Sequence, residues 1–345
     1  MQRFSKEDML AATRLTRAGR LTEATEALQR MLNGQRVPTI DSILGAVDAA
    51  IPARPVSRAN RRPPPPSDVR FVAKTFSNRA GVRPYKLYIP SGYHGAPRPL
   101  IVMLHGCTQS PDDFAAGTQM NIAAESHGCL VAYPGQTGQA NAQRCWNWFN
   151  TDDQRRDTGE PSLIAGITRE VMRDFAIDPA RVYVAGMSAG GAAAATMADT
   201  YPDLYAAVGV HSGVACGAAR DMKSALVVMQ RGGDGSDRTG RIVPTIVFHG
   251  ERDSTVNPLN GDAVVTQAVN SASLRTQVEF GQVPGGHSFR RTLYFDARGR
   301  AVVEKWVVQG GGHAWFGGSP AGSYTDPRGP DATREMMRFF LQNPR

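Results

Sequence analysis

The chain has 345 residues, 41% of them hydrophobic and 20% charged, with a formal net charge of +8. That length and composition belong to a globular protein able to bury a full core and still carry an appendage, and they exclude a disordered or collagen-like chain. No run of about eighteen apolar residues occurs, so a transmembrane helix is excluded as well.

The first 50 residues read as helical. Ser5 caps a helix running to Ala18 and ended by Gly19, Thr22 caps a second running to Leu32 and ended by Gly34, and Asp41 starts a shorter third that reaches Ala50. Leu10 and Leu15 give the first helix an apolar face, and Leu28, Met31 and Leu32 do the same for the second. Residues 1–50 are therefore expected to form a helical hairpin appendage that needs a surface to dock on. Residues 51–67 follow as a linker, in which four consecutive prolines, Pro63 to Pro66, favour extended polyproline geometry. Residues 1–70 hold 12 Lys and Arg against 7 Asp and Glu, a net of +5 that leaves +3 for the remaining 275. No aromatic-interleaved basic motif accompanies this charge, so nucleic acid is not an expected partner. The opening residues carry Lys6, Glu7, Asp8, Arg14 and Arg17 without an uninterrupted apolar core, which is not a secretory signal, and the expected compartment is cytoplasmic.

Residues 68–345 read as a single catalytic domain in which strands alternate with helices. Strands are expected at 71–76, 85–90 and 99–104, the last running into His105-Gly106-Cys107-Thr108-Gln109. A helix at 113–126 and a strand at 129–133 come next, then a long ordered loop over 135–157 that forms one wall of the site, and a helix at 161–175. The strand at 181–185 leads into Gly186-Met187-Ser188-Ala189-Gly190 and a helix of small residues over 189–199. This is the pattern of a nucleophile elbow, in which a serine sits on a sharp strand-to-helix turn and glycines two residues to either side relieve the crowding. Further strands are expected at 206–211, 244–249, 291–295 and 301–308, with helices at 259–270 and 331–341. A mostly parallel, doubly wound sheet with helices on both faces results, the α/β-hydrolase architecture.

In that architecture the acid and the histidine follow the serine in chain order, each on a loop after a strand. Asp253, just past the strand 244–249, is the chosen acid, with Glu251 on the same loop as its competitor. Two histidines remain downstream. His313 follows the last strand and precedes the last helix, where the catalytic base belongs, whereas His287 precedes the hairpin formed by 291–295 and 301–308 and is expected on a solvated loop. Backbone N–H groups of Cys107 and Ala189 are the candidate oxyanion donors, and His105 is expected to shape its loop rather than act as a base. The seven histidines are scattered without zinc-site spacing, so neither metal nor organic cofactor is called for.

The blocks Leu104 to Gln109, Ala132-Tyr133-Pro134, Cys145-Trp146-Asn147-Trp148-Phe149, Gly186 to Gly190 and Gly312-His313-Ala314-Trp315 together resemble the polyhydroxybutyrate depolymerase family of esterases, relatives of the feruloyl and acetylxylan esterases. The resemblance covers about residues 70–342. It implies an α/β-hydrolase fold, hydrolysis of carboxylic esters, a triad of Ser188, Asp253 and His313, and Cys107 at the oxyanion hole. It also sets Trp146, Trp148 and Trp315 near the site as candidate substrate walls, with ordinary core packing as the alternative for each. Cys107 and Cys145 both lie in its blocks, and a disulfide between them is an open alternative that cytosolic redox conditions weigh against. Three readings of function follow: a hydrolase of poly(3-hydroxybutyrate)-like polyesters whose basic front end aids attachment to a polyester granule, a feruloyl, acetyl or aryl esterase on soluble esters, and a non-catalytic polymer-binding protein. Many members of the family are secreted, so an extracellular location is the alternative to the cytoplasm.

Overall fold

The computed structural model describes residues 70–236, 243–269 and 272–345, and the helical front end and proline-rich linker expected over residues 1–67 lie outside the described residues. The strands are β1 (Arg70–Asn78), β2 (Gly81–Ile89), β3 (Arg98–Leu104), β4 (Leu130–Pro134), β5 (Ile177–Met187), β6 (Ala207–His211), β7 (Thr245–Gly250), β8 (Arg275–Gln282), β9 (Ser288–Phe295) and β10 (Ala301–Val308), with the short pair β11 (Trp315–Phe316) and β12 (Thr325–Asp326). The helices are α1 (Pro111–Thr118), α2 (Met120–His127), α3 (Gly159–Asp174), α4 (Ala189–Thr200), α5 (Met222–Arg231), α6 (Leu259–Val269) and α7 (Ala332–Gln342).

β1 to β10 form one sheet in the order β1-β2-β4-β3-β5-β6-β7-β10-β9-β8. The six central strands from β4 to β10 run parallel, and antiparallel pairs close the sheet at both ends. Because strand side chains alternate, each central strand feeds two cores. Leu100, Val102 and Leu104 of β3 face the core shared with α3 and α4, while Ile101 and Met103 face the one shared with α2 and α7. β5 divides in the same way, with Val182 and Val184 on the first side and Tyr183 and Ala185 on the second. From Pro99 to Leu104 and from Val182 to Met187 these strands carry no charged residue and are buried throughout, the signature of a parallel sheet covered on both faces. Each buried aliphatic side chain stabilises by roughly 1.5–3 kcal/mol relative to exposure.

The α/β-hydrolase architecture is present, with local differences from expectation. The single helix expected over 113–126 is two, because Gln119 adopts a left-handed conformation (φ 55°) that ends α1 and starts α2. β8 and α5 were not expected. α5 is set by local chemistry, Asp221 and Ser224 making a reciprocal capping box at its start.

The stretch 135–157 carries a short 3₁₀ turn, Thr151–Gln154, and is fixed to the sheet and to α3 through Glu160. This buried carboxylate accepts hydrogen bonds from the Asn147 N–H (2.7 Å) and Asn147 Nδ2 (2.9 Å), is also bonded by Gln136 Nε2, and faces the Arg83 guanidinium at 3.4 Å. Burial and the nearby Asp153 nevertheless push its carboxyl up to about 7. A group that protonates at higher pH when folded than when unfolded adds stability at the acid end, and that contribution is lost as pH rises through the folded value. His105, lowered to about 4 by burial, acts in the opposite sense, so the comparison must be made against a variant. Between about pH 4.5 and 8 the wild type should lose thermal stability relative to Glu160→Gln by a few °C, of order 1–3 kcal/mol. Calorimetry at both ends of that range tests this, and a gap independent of pH would refute it.

Candidate active site

Ser188 lies between β5 and α4 with φ 57° and ψ −122°, a conformation that costs a non-glycine residue on the order of 1–3 kcal/mol. Close packing holds it there. A β-carbon at Gly190 would stand 2.0 Å from the Leu104 carbonyl oxygen, and one at Gly186 would stand 2.2 Å from the Gly190 carbonyl oxygen, so both positions require glycine. The Ser188 N–H donates to the His211 carbonyl (2.9 Å) and the Ser188 carbonyl accepts from the Ala192 N–H (2.9 Å), which pins both sides of the turn.

The loop after β3 approaches this serine, and a β-carbon on Gly106 would lie 3.5 Å from Ser188 Cβ. Its shape is over-determined. Gln136 N–H donates to His105 Nε2 (3.0 Å), which leaves Nδ1 protonated to donate to the Gly106 carbonyl (2.7 Å), and Trp146 Nε1 donates to the His105 carbonyl (3.1 Å). Burial keeps this imidazole neutral, with a pKa of about 4, as befits the structural role expected of it. Gln109 Oε1 accepts from the Gly106 N–H (2.9 Å), and Gln109 Nε2 donates to Asp113 Oδ2 (2.8 Å). Cys107 is bonded through its sulfur to Cys145. The disulfide left open in the sequence is thus formed, and it ties the loop after β3 to the 135–157 stretch that Glu160 anchors. The Cys107 N–H makes no hydrogen bond to the described residues, and the Ala189 N–H, first in α4, has no acceptor within its helix.

Asp253 and His313 meet directly, His313 Nδ1 donating to Asp253 Oδ2 at 2.7 Å. The other carboxylate oxygen, Oδ1, accepts from the N–H groups of Thr255 (3.0 Å) and Val256 (2.8 Å). Burial opposes the charge on Asp253. The His313 hydrogen bond, the His313 and His249 imidazoles and the Val256 N–H together outweigh it and hold the carboxyl below its ordinary value. An ionised Asp253 keeps the Nδ1–H tautomer of His313 and leaves Nε2 unprotonated. Glu251, the competing acid, instead accepts from the Gly310 N–H (3.1 Å). Ser188 Oγ and His313 are not hydrogen-bonded to each other, and catalytic hydrogen bonds often tighten only when substrate binds. Their loops converge through His211, whose carbonyl holds Ser188 and whose ring stacks on Trp315, two residues beyond His313.

Two of the candidate substrate walls are corrected. Trp146 is 0% exposed with its indole N–H bonded to the His105 carbonyl, and Trp315 is 1% exposed with its own bonded to Thr333 Oγ1 (3.0 Å). Both rings support the site from behind, because an indole whose N–H finds a buried partner gains more from packing than from facing solvent. Trp148 is buried as well, at 8%, edge-on to Phe149. His287, expected on a solvated loop, is half-buried and bonded to Asp326 Oδ2 (2.8 Å). The sequence reading did not single out His211, His249 or Tyr324. The two histidines end apolar strands and look like core residues, which they are by burial. Tyr324 is 44% exposed, with its hydroxyl 3.2 Å from Thr108 Oγ1 at the edge of the loop after β3, and no motif marks it.

Among the described residues no helix is long and apolar enough to cross a membrane, and no cluster of three or more His, Cys, Asp or Glu is arranged to hold a metal ion. Comparison with known proteins gives a consistent result. Poly(3-hydroxyalkanoate) depolymerase C of Paucimonas lemoignei is 32% identical over 255 residues, 70% of this chain and 60% of that protein. Feruloyl esterase B of Thermothelomyces thermophilus is 28% identical over 280 residues, 73% of this chain and 93% of that protein. A poly(3-hydroxybutyrate) depolymerase of Ralstonia pickettii is 27% identical over 87% of this chain and 64% of its own length, so the chain spans somewhat under two thirds of each of these depolymerases. In fold, an acetyl xylan esterase from Aspergillus awamori aligns with a TM-score of 0.60 at 18% identity, over 75% of this chain and 94% of that one. The family model for esterase PHB depolymerases matches residues 83–277, more than half the chain, and the protein belongs to that family.

Proposed function

We propose that this protein is a serine esterase that hydrolyses carboxylic esters through Ser188, His313 and Asp253, acting on poly(3-hydroxybutyrate)-type polyesters or their oligomers. The observation that carries the reading is the 2.7 Å bond from His313 Nδ1 to Asp253, joined to a serine held on a strained turn. His313 Nε2 takes the Ser188 proton as Oγ attacks the ester carbonyl carbon, and the negative charge that forms on the carbonyl oxygen is received by the N–H groups of Cys107 and Ala189. Collapse of this tetrahedral intermediate breaks the C–O bond to the alcohol, which leaves with the proton from His313. A water molecule, deprotonated by the same nitrogen, then attacks the acyl-serine and releases the acid.

Similarity to two depolymerases supports the polyester substrate. The second reading, a feruloyl or acetyl esterase on soluble esters, draws on the similarity to a feruloyl esterase that is covered almost end to end. The Cys107–Cys145 bond favours an oxidising compartment over the cytosol, since disulfides are rare where thiols are kept reduced.

Ser188→Ala should abolish turnover of p-nitrophenyl butyrate, methyl ferulate and amorphous poly(3-hydroxybutyrate), and wild-type rates in the variant would refute the mechanism. In the wild type, release of hydroxybutyrate selects the polyester reading, whereas turnover of the soluble esters alone selects the other. Asp253→Asn should lower kcat by about 10³–10⁴-fold because the wrong imidazole tautomer is stabilised. Glu251→Gln should stay within about threefold of wild type, since its bond is to a loop N–H rather than to the histidine. Reduction of Cys107–Cys145, verified by thiol titration, should lower kcat about tenfold or more with a smaller change in KM, because it loosens a donor needed in the transition state. An unchanged kcat after full reduction would show that the bond does not position that donor.

A further inference from the structure

We propose that β8 pairs with β8 of a second copy of this chain, antiparallel, about a two-fold axis through Val278. Among the described residues β8 is the last strand of the sheet and is bonded to β9 on one side only. Natural edges are usually protected by charged side chains, lysine above all, by proline, by a bulge or by shortness. β8 has no lysine, proline or bulge, and its two charged residues, Arg275 and Glu279, lie on the face opposite Val278 and Phe280. It runs eight residues, Arg275-Thr276-Gln277-Val278-Glu279-Phe280-Gly281-Gln282, in unbroken register with β9. Phe280 is 76% exposed and Val278 is 50% exposed, and with Thr276 they lie on one face of the strand.

The direction of the backbone groups limits how two such strands can meet. Val283 N–H donates to the His287 carbonyl across the β8–β9 turn, and Gln309 N–H donates to the Ser288 carbonyl across β9 and β10. Bonding direction alternates along a strand, so odd-numbered residues of β8 direct their N–H and C=O groups toward β9 and even-numbered ones direct theirs outward. A two-fold pair must therefore set even residues opposite even residues, which requires the axis to pass through a residue. An axis at Glu279 would face two carboxylates against each other. An axis at Gln277 would overlap only residues 275–279.

With the axis at Val278, residues 275–281 of each copy pair. Val278 faces its own copy, Thr276 faces Phe280, and each of these positions exchanges two N–H···O bonds. The exposed Val278 and Phe280 side chains then form one continuous apolar stripe across the junction. On the opposite face Gln277 meets Glu279, Arg275 meets Gly281, and Arg275 lies diagonal to Glu279 of the other copy, so charges of opposite sign are neighbours and no like charges are opposed. The strand is complementary to itself in this register.

Light scattering of the full chain over a concentration series should give twice the chain mass, and Val278→Lys, which sets two ammonium groups on the axis, should give the monomer with kcat/KM on p-nitrophenyl butyrate unchanged. Opposed residues at a hydrogen-bonded antiparallel position have Cα atoms about 5.5 Å apart, within disulfide range. Val278→Cys should therefore cross-link the dimer under mild oxidation while Gln277→Cys does not, and the two native thiols, Cys129 and Cys216, are buried and do not compete. A wild type that stays monomeric throughout, a dimer that survives Val278→Lys, or cross-linking at 277 in place of 278 would each overturn the proposal.

Discussion

The fit between α4 and the end of β3 governs the rest of the candidate site. Gly190 lies so close to the Leu104 carbonyl that no β-carbon can be accommodated, and Gly186 is under the same restriction from Gly190. That approach forces the turn at Ser188 into its strained conformation and points the first N–H groups of α4 at the space above the sheet. Ser188 and the N-terminus of α4 are thus placed by a single packing event. The strain is carried by the ends of β3 and β5, buried throughout from Pro99 to Leu104 and from Val182 to Met187, whose combined burial far exceeds the cost of one unfavourable backbone conformation.

Around that point, polar groups fix what packing alone leaves loose. His105 is a clamp, accepting at one nitrogen and donating at the other, and it determines the path of the loop that carries Cys107. Glu160 does the equivalent for the opposite wall, and the disulfide joins the two. On the acid side, two backbone N–H groups and the imidazole share the Asp253 carboxylate, so the orientation of His313 follows from the turn at residues 253–256. His249, bonded to the Val256 carbonyl at 2.8 Å, secures that turn from below.

Much of this was legible in the chain because buried parallel strands and a glycine-flanked serine leave strong local signals. The pairing of Asp253 with His313, which meet at 2.7 Å, followed from where the strands end. What escaped was set by long-range geometry or lacked a periodic signal. β8 shows neither an apolar run nor one buried face, because nearly all of its side chains are exposed. The break at Gln119 depends on a single left-handed residue that many sequences tolerate inside a helix. Trp146 and Trp315 are ambiguous in sequence because large aromatics beside motif residues suit both a wall and a core. Their fate was decided by His105 and Thr333, which supply buried acceptors from 41 and 18 residues away in sequence.

The Cys107–Cys145 bond has a consequence for how members of this fold can diverge. It closes a covalent ring, spanning 38 residues of sequence, that holds an oxyanion donor candidate at one end and the wall segment at the other. A substitution that reshapes the wall therefore pulls on the Cys107 N–H, the proposed oxyanion donor, and under that proposal selectivity and rate change together. A loop grafted into this region has to travel as a matched pair, the turn after β3 with the stretch before α3, or the hybrid gains a new wall and displaces the backbone at Cys107.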